Sequence, residues 1–180
     1  MTNASIFIYD ISYLVTMDHE RRVLRDAWIW IEDGYIKELG TAEYPKALPE
    51  NVSKLSGNGK ILIPGLVNTH HHFYQNMARA YTPGNNLPLL PWLKHMNKLW
   101  QSFRESDLNL CTRLGLAELM HSGATTVVDH HYVFSEGAEN MIDAQFDAAS
   151  LMGIRFHASR GSMLSLIHIS EPTRQPIFWS

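Results

Sequence analysis

An apolar run that ends in three consecutive histidines constrains this chain more than any other feature. Residues 61–69 are mostly apolar, and His70, His71 and His72 follow them directly. The run predicts a buried strand in which successive side chains alternate between faces, so that His70 and His72 project to one side. Two imidazoles spaced in this way can bind a single Zn²⁺ or Fe²⁺ ion. The pattern therefore predicts a metal-binding pair at the end of a strand, and a chance histidine-rich loop is the alternative.

Beyond residue 60, strand patterns alternate with helix patterns. Short β-rich runs that end in polar residues predict three strands, at 61–69, 125–131 and 154–160. Apolar residues at helical spacing predict helices between them, at 92–103, between Ser106 and Gly123, and at about 136–152, with a further helix start at 73–79. The order strand, helix, strand, helix, strand is typical of parallel βαβ units.

Polar residues at successive strand ends favour a barrel whose chemistry lies at the carboxyl ends of the strands. A doubly wound open sheet is disfavoured because no Gly-x-Gly-x-x-Gly follows a strand. We therefore predict an α/β fold in which residues 60–163 form the N-terminal part of a (β/α)8 TIM barrel, about three βα units. A whole barrel has eight units and about 250 residues, so we expect an open apolar edge and a chain that folds poorly alone.

Residues 1–59 predict a separate, small antiparallel β domain followed by a connector. β-rich runs at 27–31 and 35–39 flank Asp33 and Gly34. Asp-Gly between two such runs predicts a tight hairpin, because glycine readily adopts a positive φ angle. Prolines and glycines within residues 41–59 predict an irregular connector.

Charge and composition exclude several classes of protein. The net charge is −3 and the basic residues are scattered, which argues against nucleic-acid binding. No apolar run approaches the roughly 20 residues of a membrane helix, and the N terminus lacks the features of a signal peptide. The single cysteine, Cys111, suits a reducing compartment. We expect a cytoplasmic protein that binds neither nucleic acid nor membrane.

Several motifs together resemble the amidohydrolase superfamily, in its cytosine deaminase, guanine deaminase and triazine hydrolase branch. The motifs are Pro64-Gly-Leu-Val-Asn-Thr-His-His-His72, Phe73-Tyr-Gln-Asn-Met-Ala-Arg79, Pro91-Trp-Leu-Lys94, Ser122-Gly-Ala-Thr-Thr126, Asp129-His-His-Tyr132 and His157-Ala-Ser-Arg-Gly-Ser-Met163. The match is to 8-oxoguanine deaminase-like members in particular, and it covers about residues 5–163. It implies metal-dependent hydrolytic deamination of a small aminated N-heterocycle, such as an 8-oxoguanine-like or guanine-like purine.

The resemblance also implies the metal chemistry. The family's His-x-His ligands correspond to His70 and His72, with zinc as the expected ion and iron as the alternative. A bound metal lowers the pKa of water toward about 7, which supplies hydroxide for attack on a ring carbon that carries an amino group. The remaining ligands, the acid/base glutamate and the last-strand aspartate belong to later strands of the family's barrel. We therefore expect the 180-residue chain to bind metal weakly and to catalyse nothing.

Three residues are candidates for substrate binding. Gln75 matches the amide that reads the heterocycle edge in guanine deaminase-like relatives, and a surface helix residue is the alternative. Arg160, at the tip of the third strand, can bind a ring carbonyl through two hydrogen bonds or belong to a structural ion pair. His131 and its neighbour His130 end the second strand. We expect one of them to face the barrel interior, and a structural histidine is the alternative.

Five other side chains carry weaker predictions. Asp129 can orient a metal-bound imidazole or cap a loop. Trp92 and Trp100 can cover a flat ring, although core packing is the simpler interpretation. We expect His157 to be buried within its strand and Cys111 to be unreactive within its helix.

The C-terminal segment, residues 164–180, has an unusual sequence. Residues 164–174 read Leu-Ser-Leu-Ile-His-Ile-Ser-Glu-Pro-Thr-Arg, which resembles the translation of a transposon-type sequencing-library adapter. The hypothesis is that the natural sequence ends near Met163 and that the tail is artefactual. A natural strand followed by a Ser-Glu-Pro turn is the alternative.

Other functions remain open at this level. A triazine hydrolase, acting by dechlorination or deamination, would use the same hydroxide. A non-catalytic metal-binding half barrel and a protein that completes its barrel with another chain belong to different classes. The substrate ring, the metal and the oligomeric state, including a homo-oligomer of the parent enzyme, are not encoded in these motifs.

Overall fold

A computed structural model describes residues 5–44 and 47–161 of the chain. The chain divides into two compact units after Pro64. The tail at 164–180, whose origin was questioned from its sequence, lies outside the described residues. None of the described helices is long and apolar enough to cross a membrane.

The N-terminal unit is built on a mixed β-sheet. Its strands are β1 Ser5–Val15, β2 Val23–Glu32, β3 Tyr35–Thr41, β4 Ser53–Ser56 and β5 Ile61–Leu62. β3, β2 and β1 are antiparallel neighbours, as predicted, while β4 and β5 pair with β1 in parallel. The prediction of an irregular connector was wrong at β4, because hydrogen bonding to the edge of β1 organises a segment that has little pattern of its own.

The predicted hairpin between β2 and β3 is confirmed. Asp33 and Gly34 have φ angles of 52° and 80°, so both central residues of the turn are left-handed. This conformation matches the twist of the flanking strands. Apolar side chains that alternate along β1 and β2 then form the core of the unit, namely Ile11, Leu14, Ala27 and Ile29.

The C-terminal unit is a three-stranded parallel sheet with helical connections. Its elements are β6 Leu66–Asn68, 3₁₀ helices Phe73–Ala78 and Thr82–Gly84, α1 Leu89–Trp100, α2 Glu105–His121, β7 Ala124–His131, α3 Met141–Met152 and β8 Arg155–Arg160. The strand order is β6-β7-β8, and both pairs are parallel. The predicted βαβ order is therefore confirmed, and the described strands form an open sheet rather than a closed barrel.

The predicted first strand, 61–69, was wrong in extent and burial. It is divided into β5, which joins the N-terminal sheet, and β6, which joins the parallel sheet. Leu66 and Val67 are 51% and 60% exposed, although their composition predicts a buried strand. Since a parallel strand is buried only when both faces are covered, the exposed face agrees with the open apolar edge expected from the sequence.

Two predicted helix starts also moved. The predicted helix over 136–152 begins at Met141, because Gly137 has a φ of 71° that interrupts helical geometry, while its end at Gly153 with φ 71° is confirmed. The helix predicted from Ser106 onward begins at Glu105 instead. Asp107 lies inside α2 and accepts a hydrogen bond from the backbone N–H of Arg104, 2.9 Å away.

Replacing Gly115 with alanine is expected to lower the free energy of unfolding by about 1–3 kcal/mol. A Cβ atom at this α2 position would overlap the ring of Phe73 and the amide of Asn76, both buried. At an open helical site the same change would stabilise by up to about 1 kcal/mol. Urea unfolding of Gly115→Ala measures the loss, and Ser150→Ala, at an exposed position of α3, is the control. A Gly115→Ala variant more stable than the original chain would contradict the packing.

Candidate metal centre and groove

The two predicted metal ligands are brought together beyond the end of a strand. β6 ends at Asn68, whose Oδ1 accepts a hydrogen bond from the backbone N–H of His70 at 3.2 Å. The ring centroids of His70 and His72 lie 4.9 Å apart, with the rings at 83° to each other. His70 is exposed and His72 is half-buried. The pair is thus formed by an irregular segment, not by the strand alternation that the sequence predicted.

A backbone carbonyl of β7 orients His72. Its Nδ1 lies 2.7 Å from the carbonyl oxygen of His130. Because a carbonyl oxygen only accepts, Nδ1 carries the hydrogen and donates it, which leaves the lone pair of the neutral ring on Nε2. Metal-ligating histidines usually donate their other ring N–H in this way. The donor set therefore fits a divalent metal held by His70 and His72.

His71 points away from the pair. Its ring centroid lies 4.2 Å from that of Phe73. Burial, followed by the nearby charge of Arg79, lowers its pKa to about 4. Its carbonyl oxygen accepts the backbone N–H of His130 at 2.8 Å, which joins the histidine segment to β7. His71 therefore packs against Phe73 and does not join the pair.

A third imidazole, that of His130, approaches the pair. Its ring centroid lies 5.0 Å from that of His70 and 6.0 Å from that of His72. Its Nε2–H donates to the carbonyl oxygen of Thr69 at 3.1 Å, since that oxygen can only accept. Over residues 5–44 and 47–161, no group of three or more His, Cys, Asp or Glu side chains is arranged to hold a metal ion.

Asp129 caps the segment that follows the histidines. Its side chain is fully buried. One carboxylate oxygen accepts the backbone N–H of Phe73, and the other accepts the side-chain amide of Gln145, each at 2.7 Å. Burial raises its pKa to about 6, although both hydrogen bonds oppose the shift. Of the two predicted roles, the capping role is the one that these contacts support.

An open groove of about 830 Å³ lies beside His72. Its lining combines polar side chains, including Gln75 and Lys94, with aliphatic and aromatic ones. The aromatic residues that line it are Tyr74, Trp92, Trp100 and Tyr132. Trp100 is almost completely buried, with its ring edge-on to Tyr74 at 4.9 Å and to Trp92 at 5.3 Å. Trp100 is therefore core, and Trp92 is the more accessible of the two tryptophans.

The three candidate substrate residues occupy different environments. Gln75 is half-buried, lines the groove, and donates through Nε2 to Tyr74 Oη at 3.4 Å. His131 is fully buried, and burial lowers its pKa to about 4. Its ring packs edge-on to Tyr74 and Phe134. The exposed guanidinium of Arg160 lies 4.3 Å above the ring of Phe134, a cation–π contact instead of the anticipated ion pair. Roles for His131 and Arg160 in substrate binding stay predictions.

Two other expectations have clear outcomes. His157 is exposed, so the prediction that it is buried was wrong. His157 and Phe156 lie on opposite faces of β8. Phe156 packs toward the helices, and no described strand covers the face that carries His157. Cys111 is buried within α2, where burial raises its pKa, and this agrees with an unreactive thiol.

The sequence signal for Tyr132 and His130 was incomplete. Both lie near His72. The sequence offered His130 only as the alternative to His131, and Tyr132 only as part of a family motif. Alternation along β7 turns Val127, Asp129 and His131 toward the helices, where Val127 packs with residues of α2 and α3. His130 therefore lies on the face toward His70, and the strand pattern alone did not distinguish it from His131.

Comparison with known proteins identifies the class of this chain. A sequence profile of the amidohydrolase family matches residues 61–176, and the chain belongs to that family. The match includes part of the 164–180 tail. The resemblance drawn from the motifs is confirmed.

Individual relatives are deaminases and triazine-processing enzymes. The chain is 45% identical to 8-oxoguanine deaminase of Pseudomonas aeruginosa over 133 residues, which is 74% of this chain and 29% of that protein. It is 37% identical to hydroxydechloroatrazine ethylaminohydrolase of Pseudomonas sp. strain ADP over 158 residues, 82% of this chain and 33% of the relative.

A solved structure supports the same relationship. Atrazine chlorohydrolase TrzN from Arthrobacter aurescens TC1, complexed with zinc, is similar with a TM-score of 0.78 and 31% identity. The similarity covers 92% of this chain and 37% of TrzN. The chain thus spans about a third of the length of these three relatives.

Proposed function

We propose that this chain is part of a metal-dependent aminohydrolase that deaminates a small aminated N-heterocycle of the 8-oxoguanine or guanine type. The observation that carries the proposal is the orientation of His72, whose Nδ1–H is engaged by His130 O while its ring faces His70 beside an aromatic groove. The 45% identity to an 8-oxoguanine deaminase supports the substrate class.

The fold part of the proposal is that β6, β7 and β8 are the first three strands of a (β/α)8 barrel. Support comes from their parallel order, from the helical crossovers between them, and from the TM-score with a structure about three times as long. Residues 164–180 are proposed to be foreign to this barrel because residues 164–174 resemble a translated adapter, although the family match extends to residue 176.

His70 and His72 would hold the metal, and zinc is proposed because the related TrzN structure contains it. When bound, the metal supplies hydroxide at neutral pH. Gln75 offers both a donor and an acceptor to a lactam edge. The flat faces of Trp92 and Tyr132 suit an aromatic ring in the groove.

The test begins with the gene recovered from an independent DNA library. The product is loaded with zinc and assayed for ammonia release from 8-oxoguanine and guanine, and for chloride release from a chlorotriazine. Ammonia release supports the proposal. Chloride release without deamination of purines favours the triazine hydrolase alternative, and a zinc-binding product with neither activity favours the non-catalytic half barrel. The same DNA shows whether residues 164–180 are natural.

The purified 180-residue chain is expected to release no ammonia above the buffer rate. Two histidines are fewer than the three protein ligands typical of catalytic zinc sites. The measurement is a coupled ammonia assay with zinc and 8-oxoguanine. The control is the His72→Ala variant. Ammonia release by the original chain that disappears in this variant would contradict the prediction, and equal background rates in both chains would agree with it.

A further inference from the structure

We infer that Tyr132 is a wall of the heterocycle groove and that Gly161 is the positioning residue that holds its ring there. This inference rests on the proposed function and adds to it a residue pair that sets the shape of the site. Tyr132 follows β7 directly and Gly161 follows β8 directly.

Tyr132 lies between the metal pair and Gly161. On one side, its ring centroid is 5.7 Å from that of His72, with the planes inclined by 55°. It lines the groove together with Gln75 and Trp92. The ring is half-buried. A flat ligand that enters beside His72 would therefore contact this phenol ring.

Gly161 leaves the space that the ring of Tyr132 occupies. A Cβ atom at Gly161 would overlap Cδ1 and Cε1 of Tyr132 and would lie 2.8 Å from its Cγ. Because Cγ is the fixed end of the ring, rotation about the ring axis does not relieve the contact. The whole side chain would have to move away from β8.

The backbone fixes this close approach. The N–H of Gly161 donates to the carbonyl oxygen of His131 at 2.7 Å, so β8 remains paired with β7 up to the residue beside Tyr132. Gly161 is not among the residues with positive φ. An alanine here would therefore act through its methyl group and not through backbone strain.

The test is a double-mutant cycle of Gly161→Ala and Tyr132→Ala in the full 180-residue chain. Equilibrium dialysis with 8-oxoguanine measures binding, and urea unfolding measures the folding equilibrium. Gly161→Ala and Tyr132→Ala are each expected to weaken binding by about fivefold to tenfold, the range of one aromatic contact. The double variant should bind no more weakly than Tyr132→Ala. Tyr132→Phe, which keeps the ring, should stay within about twofold of the original chain.

The unfolding arm tests the contact without any ligand. Gly161→Ala should lower the folding equilibrium constant by about tenfold in the original chain, and by little in the Tyr132→Ala background. If Gly161→Ala does not fold but the double variant does, the contact between Gly161 and Tyr132 is supported. If Tyr132→Ala folds but the double variant does not, the contact is overturned.

The two arms separate this inference from the proposed function. If the original chain binds 8-oxoguanine with an affinity that neither substitution changes, the inference is overturned and the proposed function stands. If the original chain does not bind 8-oxoguanine while the unfolding cycle shows coupling, the contact between Gly161 and Tyr132 stands and the wall assignment is overturned. The proposed function is judged separately, by ammonia release from the product of the recovered gene. An additive binding cycle would show that Gly161 does not act through Tyr132.

Discussion

Asp129→Ala is expected to lower the free energy of unfolding by roughly 3 kcal/mol at pH 5, because it leaves two buried donors without an acceptor. These are the backbone N–H of Phe73 and the side-chain amide of Gln145, which Asp129 binds from β7. The two contacts join three elements across 56 and 16 residues of sequence. Chemical denaturation followed by far-UV circular dichroism measures the loss.

Asp129→Asn is the matched control, and pH separates its effect from that of alanine. Asparagine can accept from Phe73, and its NH2 can donate to Oε1 of Gln145 once the Gln145 amide turns over, since Nε2 is the atom that now faces Asp129. The native pKa of Asp129, about 6, lies above its ordinary value of 3.8. The protonated carboxyl therefore contributes stability that is complete below about pH 4 and is lost as the pH rises through 6.

Ionised, the buried carboxylate costs roughly 3 kcal/mol, from a shift of about two pKa units. Asp129→Asn removes that cost, so the variant should be close to the original chain at pH 4 and more stable at pH 8. The free energy of unfolding of Asp129→Ala should fall furthest below that of the original chain at acidic pH. If Asp129→Asn instead became less stable than the original chain as the pH rose from 4 to 8, the folded protein would favour the ionised carboxylate, which would contradict this prediction.

His72→Ala is expected to weaken zinc binding by more than about 100-fold, and His70→Ala by a similar factor. Loss of an outer partner of a metal-binding histidine alone costs about 10- to 100-fold, and loss of the ligand itself should exceed that. Competition with a chromophoric chelator measures the affinity. His72→Ala also removes the hydrogen bond to His130 O that ties the histidine segment to β7.

The control for these ligand variants is His121→Ala, at the exposed C-terminal end of α2. It removes an imidazole that lies on a different element from the pair. Its zinc affinity should equal that of the original chain. If all three variants lost affinity equally, zinc would be binding to histidines without a defined site, and the assignment of His70 and His72 would fall.

Much of the fold followed from local patterns in the sequence. The turn at Asp33 and Gly34 and the end of α3 at Gly153 were predicted because both depend on positive φ at one or two adjacent residues, including a glycine. The order of the βαβ units followed from the change in apolar period. Boundaries such as the start of α3 at Met141 were missed, because a turn at Gly137 interrupts residues whose composition alone permits a helix.

The sequence by itself determined the family and the parallel order of the strands, and it predicted the histidine pair, since each depends on residue types and short spacings. Only the tertiary structure decided that His130 instead of His131 faces His70, that Asp129 caps the segment at Phe73, and that Tyr132 lies over Gly161. The physical reason is register. A shift of one residue between neighbouring strands exchanges the faces of every side chain, and that alignment is set by contacts between residues far apart in the chain.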